Sequence, residues 1–205
     1  MAQIDVLRNL KRLVIPPNNK SLRVPKKRTA VFKWAVENGF NAVVFPFGCP
    51  DTVTEEAVSS GLAAEAGGWV MSLLLPRRRY FFHRDLFRME GGKRKTKTHF
   101  CPTSPETIAI LRQEGEKIFR SAGKIEVFHL WPDKGEERTW CSCPTCRAFT
   151  HAEQNRMAVN AIADALAGIK PNALLSYYEE PGEDSEMPLR PNVFRIDPEK
   201  ITALT

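Results

Sequence analysis

Four stretches of this chain, residues 41–47, 69–75, 125–131 and 173–178, are apolar at nearly every position, with no alternating polar face. A strand of that kind has no side to give to water, so both faces must be covered, which is the condition of a parallel sheet flanked by helices. Between the runs the period changes to that of a helix. Val31, Phe32, Ala35 and Val36 share one face before Gly39, and Thr52 or Thr54 opens an acidic-first stretch to Ala66, closed by Gly67-Gly68. Ser104-Pro105-Glu106 is an N-terminal cap for the stripe Ile108, Leu111, Gly115, Ile118 and Phe119. Thr150 and Glu153 form a capping box ahead of Val159, Ile162, Ala163, Leu166 and Ile169. Residues 193–196 are a candidate fifth strand. The expected fold class is α/β, a parallel sheet with helical crossovers resembling an incomplete (β/α)8 TIM barrel.

Loop lengths add a polarity to this sheet. Connections after helices are short, whereas residues 76–103 and 132–149 follow expected strands as long loops. Long loops inside a compact domain are usually functional, and here they gather at the carboxyl ends of the strands. A closed eight-stranded barrel takes about 250 residues. With 205 residues and four or five recognisable strands, the barrel is expected to stay open, and its apolar edges to invite self-association. Residues 1–27, basic and broken by Pro16, Pro17 and Pro25, read as a poorly ordered leader with one short helix, and residues 28–205 as the partial barrel.

The composition, 42% hydrophobic and 26% charged, is that of an ordinary globular protein. No basic segment followed by an apolar run opens the chain, and no stretch is long enough to span a bilayer, so the sequence as written is expected to be cytoplasmic, with no membrane partner. The net charge of +6 and pI of about 9.2 raise nucleic acid as a partner. The charge lies in residues 20–28, 77–79 and 93–97, runs that read as solvated loops without a basic helix or aromatic-interleaved strand beside them. Nucleic acid is therefore not the expected partner; an arginine-rich loop serves an anionic sugar or carboxylate equally well.

Cys141, Cys143 and Cys146 fall within six residues, an odd number that local disulfides cannot consume. A shared metal ion, zinc, is the economical reading. Cys101, near the start of the preceding helix, is the expected fourth ligand, with His151 and His99 as alternatives. Such a site is structural, because four protein ligands leave no open position for water.

The succession Gly39-Phe40-Asn41-Ala42-Val43-Val44-Phe45, then Gly67-Gly68-Trp69, then Tyr80-Phe81-Phe82-His83 through Gly91-Gly92-Lys93-Arg94, resembles the bacterial family known as domain of unknown function 4838. Cys101-Pro102-Thr103-Ser104-Pro105-Glu106 and the segment from His129 through the cysteine knuckle to Val159-Asn160 belong to the same likeness, which runs from about Lys26 to Pro181. The resemblance implies a (β/α)8 barrel related in architecture to α-glucuronidases and β-hexosaminidases, acting on a carbohydrate by O-glycosyl hydrolysis, in proteins that are often exported. A glycosidase needs two carboxylates from different strands. Asp133, two residues past the third apolar run, is the candidate general acid, and Glu179 or Glu180 after the fourth is the candidate second carboxylate. His129, Trp131, Tyr177 and Tyr178 are candidates to flank a sugar, and His83 is placed toward the substrate face. Asp133 also reads as a turn residue after proline, and the glutamate pair as part of a solvated loop. A second class of function stands beside hydrolysis: a zinc-stabilised binding module that presents its basic loops to an anionic polymer or a protein.

Overall fold

The structure of the protein is a computed structural model that describes residues 2–133, 140–178 and 185–204. In chain order its regular elements are α1 (Ala2–Asn9), β1 (Arg12–Val14), α2 (Pro25–Glu37), β2 (Ala42–Phe45), α3 (Asp51–Ser59), β3 (Ala63–Gly68), β4 (Met89–Glu90), β5 (Lys93–Arg94), α4 (Pro105–Ser121), β6 (Val127–Leu130), α5 (His151–Ile169), β7 (Leu174–Tyr177), β8 (Val193–Arg195) and β9 (Ile201–Ala203). Seven of the strands form one sheet in the order β8-β7-β6-β3-β2-β1-β9, every pair parallel, while β4 and β5 make a separate antiparallel hairpin.

The sheet has to curl. Its free edges belong to β8 and β9, which only residues 196–200 connect. Seven strands laid flat would hold those edges about 29 Å apart, whereas so short a connection reaches at most about 20 Å. Contacts across the interior agree with a rolled sheet: the Arg12 guanidinium on β1 lies 5.8 Å from the Phe194 ring centre on β8. Val14, Val44, Trp131 and Ile196 also meet there as one apolar cluster. The result is an incomplete (β/α)8-like barrel, unclosed between β8 and β9.

The outer face of the sheet is covered by helices. Ile110, Leu111 and Phe119 of α4 and Val159, Ile162 and Leu166 of α5 pack with Phe128, Leu130 and Leu175, and Phe32, Ala35, Val53 and Ala57 of α2 and α3 pack with Leu13, Val43 and Phe45. The expected helix signals operate: the Ser104 hydroxyl accepts from Thr107 N, and Thr150 and Glu153 cap each other reciprocally. Each such cap is worth about 1 kcal/mol.

Two expectations are corrected here. The run at 69–75 is not a strand; the strand is Ala63–Gly68, where the sequence pattern predicts the end of a helix and a turn, and Met71–Leu74 is a 3-10 turn at the rim. The sequence Ala-Ala-Glu-Ala-Gly-Gly has helix-like propensity, but this place in the sheet demands small residues. Gly67 has φ +121°, and a Cβ there would lie 1.8 Å from the His129 carbonyl oxygen, so β3 approaches β6 closely only as glycine. Residues 12–14 are likewise not part of a disordered leader: β1 is fully buried and lies between β2 and β9. Its three residues are too few to show any periodicity. Each open edge is also only three residues long, and the expected self-association through open edges finds no support in it.

Candidate functional site

The inward face of the sheet carries an unusual set of polar residues. Arg12 (β1), Glu65 (β3), His129 (β6) and Ser176 (β7) are all buried, yet every one is hydrogen-bonded. Arg12 Nε and Nη2 donate to Glu65 Oε2 and Oε1 at 2.6 and 3.1 Å, the bidentate geometry that suits a guanidinium and a carboxylate. His129 Nε2 lies 2.8 Å from Glu65 Oε2 and its Nδ1 2.6 Å from Ser176 Oγ. Trp131 Nε1 donates to that same Oγ at 2.6 Å. Because indole can only donate, the serine proton is free for His129 Nδ1, which leaves the histidine proton on Nε2, aimed at Glu65. Burial pushes the His129 pKa down despite the neighbouring carboxylate. Burial also works against the Glu65 anion, but His129 and Arg12 outweigh it and hold Glu65 below the usual carboxylate range. The network is therefore an ionised Arg–Glu pair with a neutral histidine.

These residues fill the barrel rather than face a ligand. His129 and Trp131, expected to flank a sugar, are 0% exposed with their polar atoms consumed. Tyr177 is also buried, on the opposite face of the sheet: it packs with the helix-side core, and its hydroxyl accepts from Arg156 Nε at 3.1 Å. The reason is the strand's period of two, which sends Ser176 inward and Tyr177 outward. Tyr178, the next residue, is half-buried, 6.2 Å from Trp131 between ring centres. Trp69, half-buried at the end of β3, lies 4.9 Å from Trp131 on an edge-to-face ring contact. Trp131 thus supports two rim aromatics, of which Trp69 was hidden in a run expected to be a strand.

Asp133 is on this rim, at the end of β6. Ser72, on the loop leaving β3, donates from its hydroxyl to Oδ1 at 2.8 Å and from its backbone amide to Oδ2 at 3.2 Å. Burial raises the Asp133 pKa, opposed by Ser72 and by the charge of Arg77. Glu179 and Glu180 lie outside the described residues. His83 is exposed, with Nδ1 3.8 Å from Glu106 Oε1. Sequence reasoning missed Arg12, Glu65, Ser72 and Trp69: a polar residue between alanines or beside a lysine carries no signal that it points into a barrel.

The four cysteines come together. Cys101, Cys141, Cys143 and Cys146 are buried, and their sulfurs all lie within 4.8 Å of one another. Cys101 Sγ is 3.7 Å from Cys143 Sγ and 3.6 Å from Cys146 Sγ, far beyond disulfide length. Four sulfurs around a tetrahedral ion with bonds of about 2.3 Å would stand about 3.8 Å apart, so the donor set fits a thiolate-bound metal. Met89 N donates to Cys141 Sγ at 3.3 Å, and the Gln154 side chain bonds Cys141 N and the carbonyls of Cys141 and Cys146. Four thiols this close cannot all ionise by themselves: a hydrogen bond from Cys141 pulls Cys101 down to about 4, whereas burial pushes Cys146 up to about 11. A bound cation removes that conflict. His99 and His151 are not among the cluster residues; His99 is buried and stacked on Trp140 at 4.4 Å. The cluster joins the two long rim loops, residues 69–104 and 131–150.

No protein-family model matches the chain, and no curated protein matches it. Solved structures do. The GH20 catalytic modules of the pneumococcal exo-β-D-N-acetylglucosaminidase align at TM-score 0.63 and 10% identity over 95% of this chain and 60% of theirs. A GH36 α-galactosidase from Geobacillus stearothermophilus aligns at 0.52 and 12% over 83% and 28%. A β-N-acetylhexosaminidase from Bacteroides fragilis aligns at 0.51 and 13% over 91% and 44%. The chain thus spans 28 to 60% of the length of these structures. At such identities the likeness concerns architecture: the chain has an incomplete (β/α)8 barrel similar to part of the barrels in these structures.

Proposed function

We propose that this chain is a glycoside-hydrolase-like carbohydrate-active domain whose working face is the carboxyl-end rim of the barrel. Asp133 protonates the glycosidic oxygen, Glu179 is the second carboxylate, and Tyr178 and Trp69 pack against the sugar. The observation that supports this most is the state of Asp133. A carboxyl group raised by burial and oriented by two hydrogen bonds at the end of a barrel strand is placed as a general acid is placed. His129 and Trp131 act from beneath, fixing β6 and the rim aromatics, and Tyr177 takes no part. The cysteine cluster holds a structural zinc that ties the two rim loops into one surface. A panel of aryl glycosides tests the reading: hydrolysis is expected to fall about 100-fold or more in Asp133→Asn. An unchanged rate removes Asp133 from the mechanism.

A further inference from the structure

One rim loop of this protein carries a strong excess of positive charge. Residues 69–104 contain nine Lys and Arg against two acidic residues, a balance of +7; the only comparable excess in the sequence is at residues 1–37. Several cations elsewhere are matched, Arg12 with Glu65, Arg28 with Glu56, Arg112 and Arg190 with Asp164, Lys124 with Glu55. In the loop, Arg78, Arg79, Lys93, Lys95 and Lys97 have no ion-pair partner among the described residues, and all but Arg79 are exposed. The same loop carries Phe81 and Phe82, 78% and 86% exposed, the most exposed large apolar side chains among the described residues. Aromatic rings left in water beside uncompensated cations are the surface one would build for a ligand that is both ring-shaped and anionic.

The loop is not a loose arm. Tyr80 donates its hydroxyl to the Arg94 carbonyl at 2.8 Å, Arg94 Nη1 to the Phe87 carbonyl at 2.6 Å, and Ser142 N to the Met89 carbonyl at 2.8 Å. Cys101 anchors its far end in the cysteine cluster, and Ser72 anchors its near end on Asp133. A platform fixed at both ends loses little freedom when it binds. We propose that residues 76–97 form an extended subsite for a carboxylate-bearing polysaccharide, a polyuronate, in which the unpaired cations meet the carboxylates and Phe81 and Phe82 pack on the sugar rings. The proposal rests on the carbohydrate reading of the rim and names the class of its substrate. Pyranose faces explain the two phenylalanines, and a carboxylate on every sugar unit explains several unpaired cations in one loop. A single small anion would need only one of them.

Binding of polygalacturonate fragments to the full chain, followed by calorimetry across a salt series, tests it without requiring turnover. Fully methyl-esterified fragments have the same backbone without charge and are expected to bind about tenfold more weakly or worse. Arg78→Ala/Lys95→Ala/Lys97→Ala should lower affinity for polygalacturonate about tenfold and flatten its salt dependence. Phe81→Ala/Phe82→Ala should lower affinity with the salt dependence unchanged. All five side chains are exposed or in surface loops, and unaltered melting temperatures confirm intact folding. Equal binding of the ester, no effect of the phenylalanine pair, or tighter binding of oligodeoxythymidylate than of polygalacturonate overturns the proposal, the last in favour of a phosphate polymer. Because the readout is binding, an absence of hydrolysis would count against the enzymatic reading and leave this one standing.

Discussion

Ser72 holds both carboxylate oxygens of Asp133, its hydroxyl on Oδ1 at 2.8 Å and its backbone amide on Oδ2 at 3.2 Å, so the loop after β3 fixes the orientation of this carboxyl group at the end of β6. The hydroxyl favours the ionised form and opposes the rise caused by burial. Removing it in Ser72→Ala must therefore push the Asp133 pKa further up. The limb of the rate profile on which Asp133 loses its proton should move to higher pH, with a fall in kcat of about tenfold from lost positioning. A limb that stays in place would mean that Asp133 is not the group being read.

Asp133 also predicts an opposition between activity and stability. A carboxyl whose folded pKa is raised contributes stability below its unfolded pKa, and that contribution is lost as pH rises through the folded value. Above that window the ionised side chain is a liability to the fold. Asp133→Asn should melt at the same temperature as the native protein or higher at pH 7, while losing hydrolysis; thermal scans from pH 4 to 8 check the sign.

The buried Arg12–Glu65 pair makes a different forecast. Removing one member leaves an uncompensated charge inside the barrel, so Glu65→Gln should destabilise the fold by about 3–5 kcal/mol. Arg12→Met/Glu65→Leu, which removes both charges, should recover most of that loss. Glu65 and His129 both have lowered folded pKa values. Their contribution is complete above about pH 6.5, where unfolded histidine is neutral, and drains away as pH falls through that value and then through about 4.3. The urea midpoint of the native protein should fall steadily as pH falls over that range.

Purified protein should contain one zinc per chain, as read by elemental analysis. Strong chelators, or Cys143→Ser, should lower the melting temperature by about 5–10 °C, since metal binding is then part of folding. The two rim loops should become the first sites of proteolysis. Unchanged melting after complete chelation would show that the four sulfurs pack without an ion.

Gly67→Ala should be among the most damaging single substitutions in the chain. The added Cβ would lie 1.8 Å from the His129 carbonyl oxygen at a φ of +121°, which combines strain with overpacking between two central strands. A loss of about 3–5 kcal/mol is expected by urea titration. Gly39→Ala, with open space around it, is the control and should cost about 1 kcal/mol.

Much of the architecture was open to reading because its signals are local. Ser104 and Thr150 cap helices through residues three positions away, and continuous apolar runs locate β2, β6 and β7 to within a few residues. The cysteine set was legible for a related reason: three ligands share one short loop, and soft sulfur ligands in that spacing have few other uses. β1 and β3 were not legible. One is three residues long, and the other is built of alanine and glycine because β6 presses against it.

Local pattern, then, determined that this is a parallel α/β chain, that its long loops follow the strands, and that Cys101, Cys141, Cys143 and Cys146 form a set. Tertiary structure alone decided which way each strand residue points. Trp131 and Tyr177 look equivalent in the sequence, aromatic residues at the end of an apolar run, yet one fills the barrel and the other lies under α5. A strand's alternation divides its residues into two sets, but which set faces inward depends on register with neighbours far away in the chain, and here that register is carried by Arg12, Glu65, His129 and Ser176 across 164 residues of sequence.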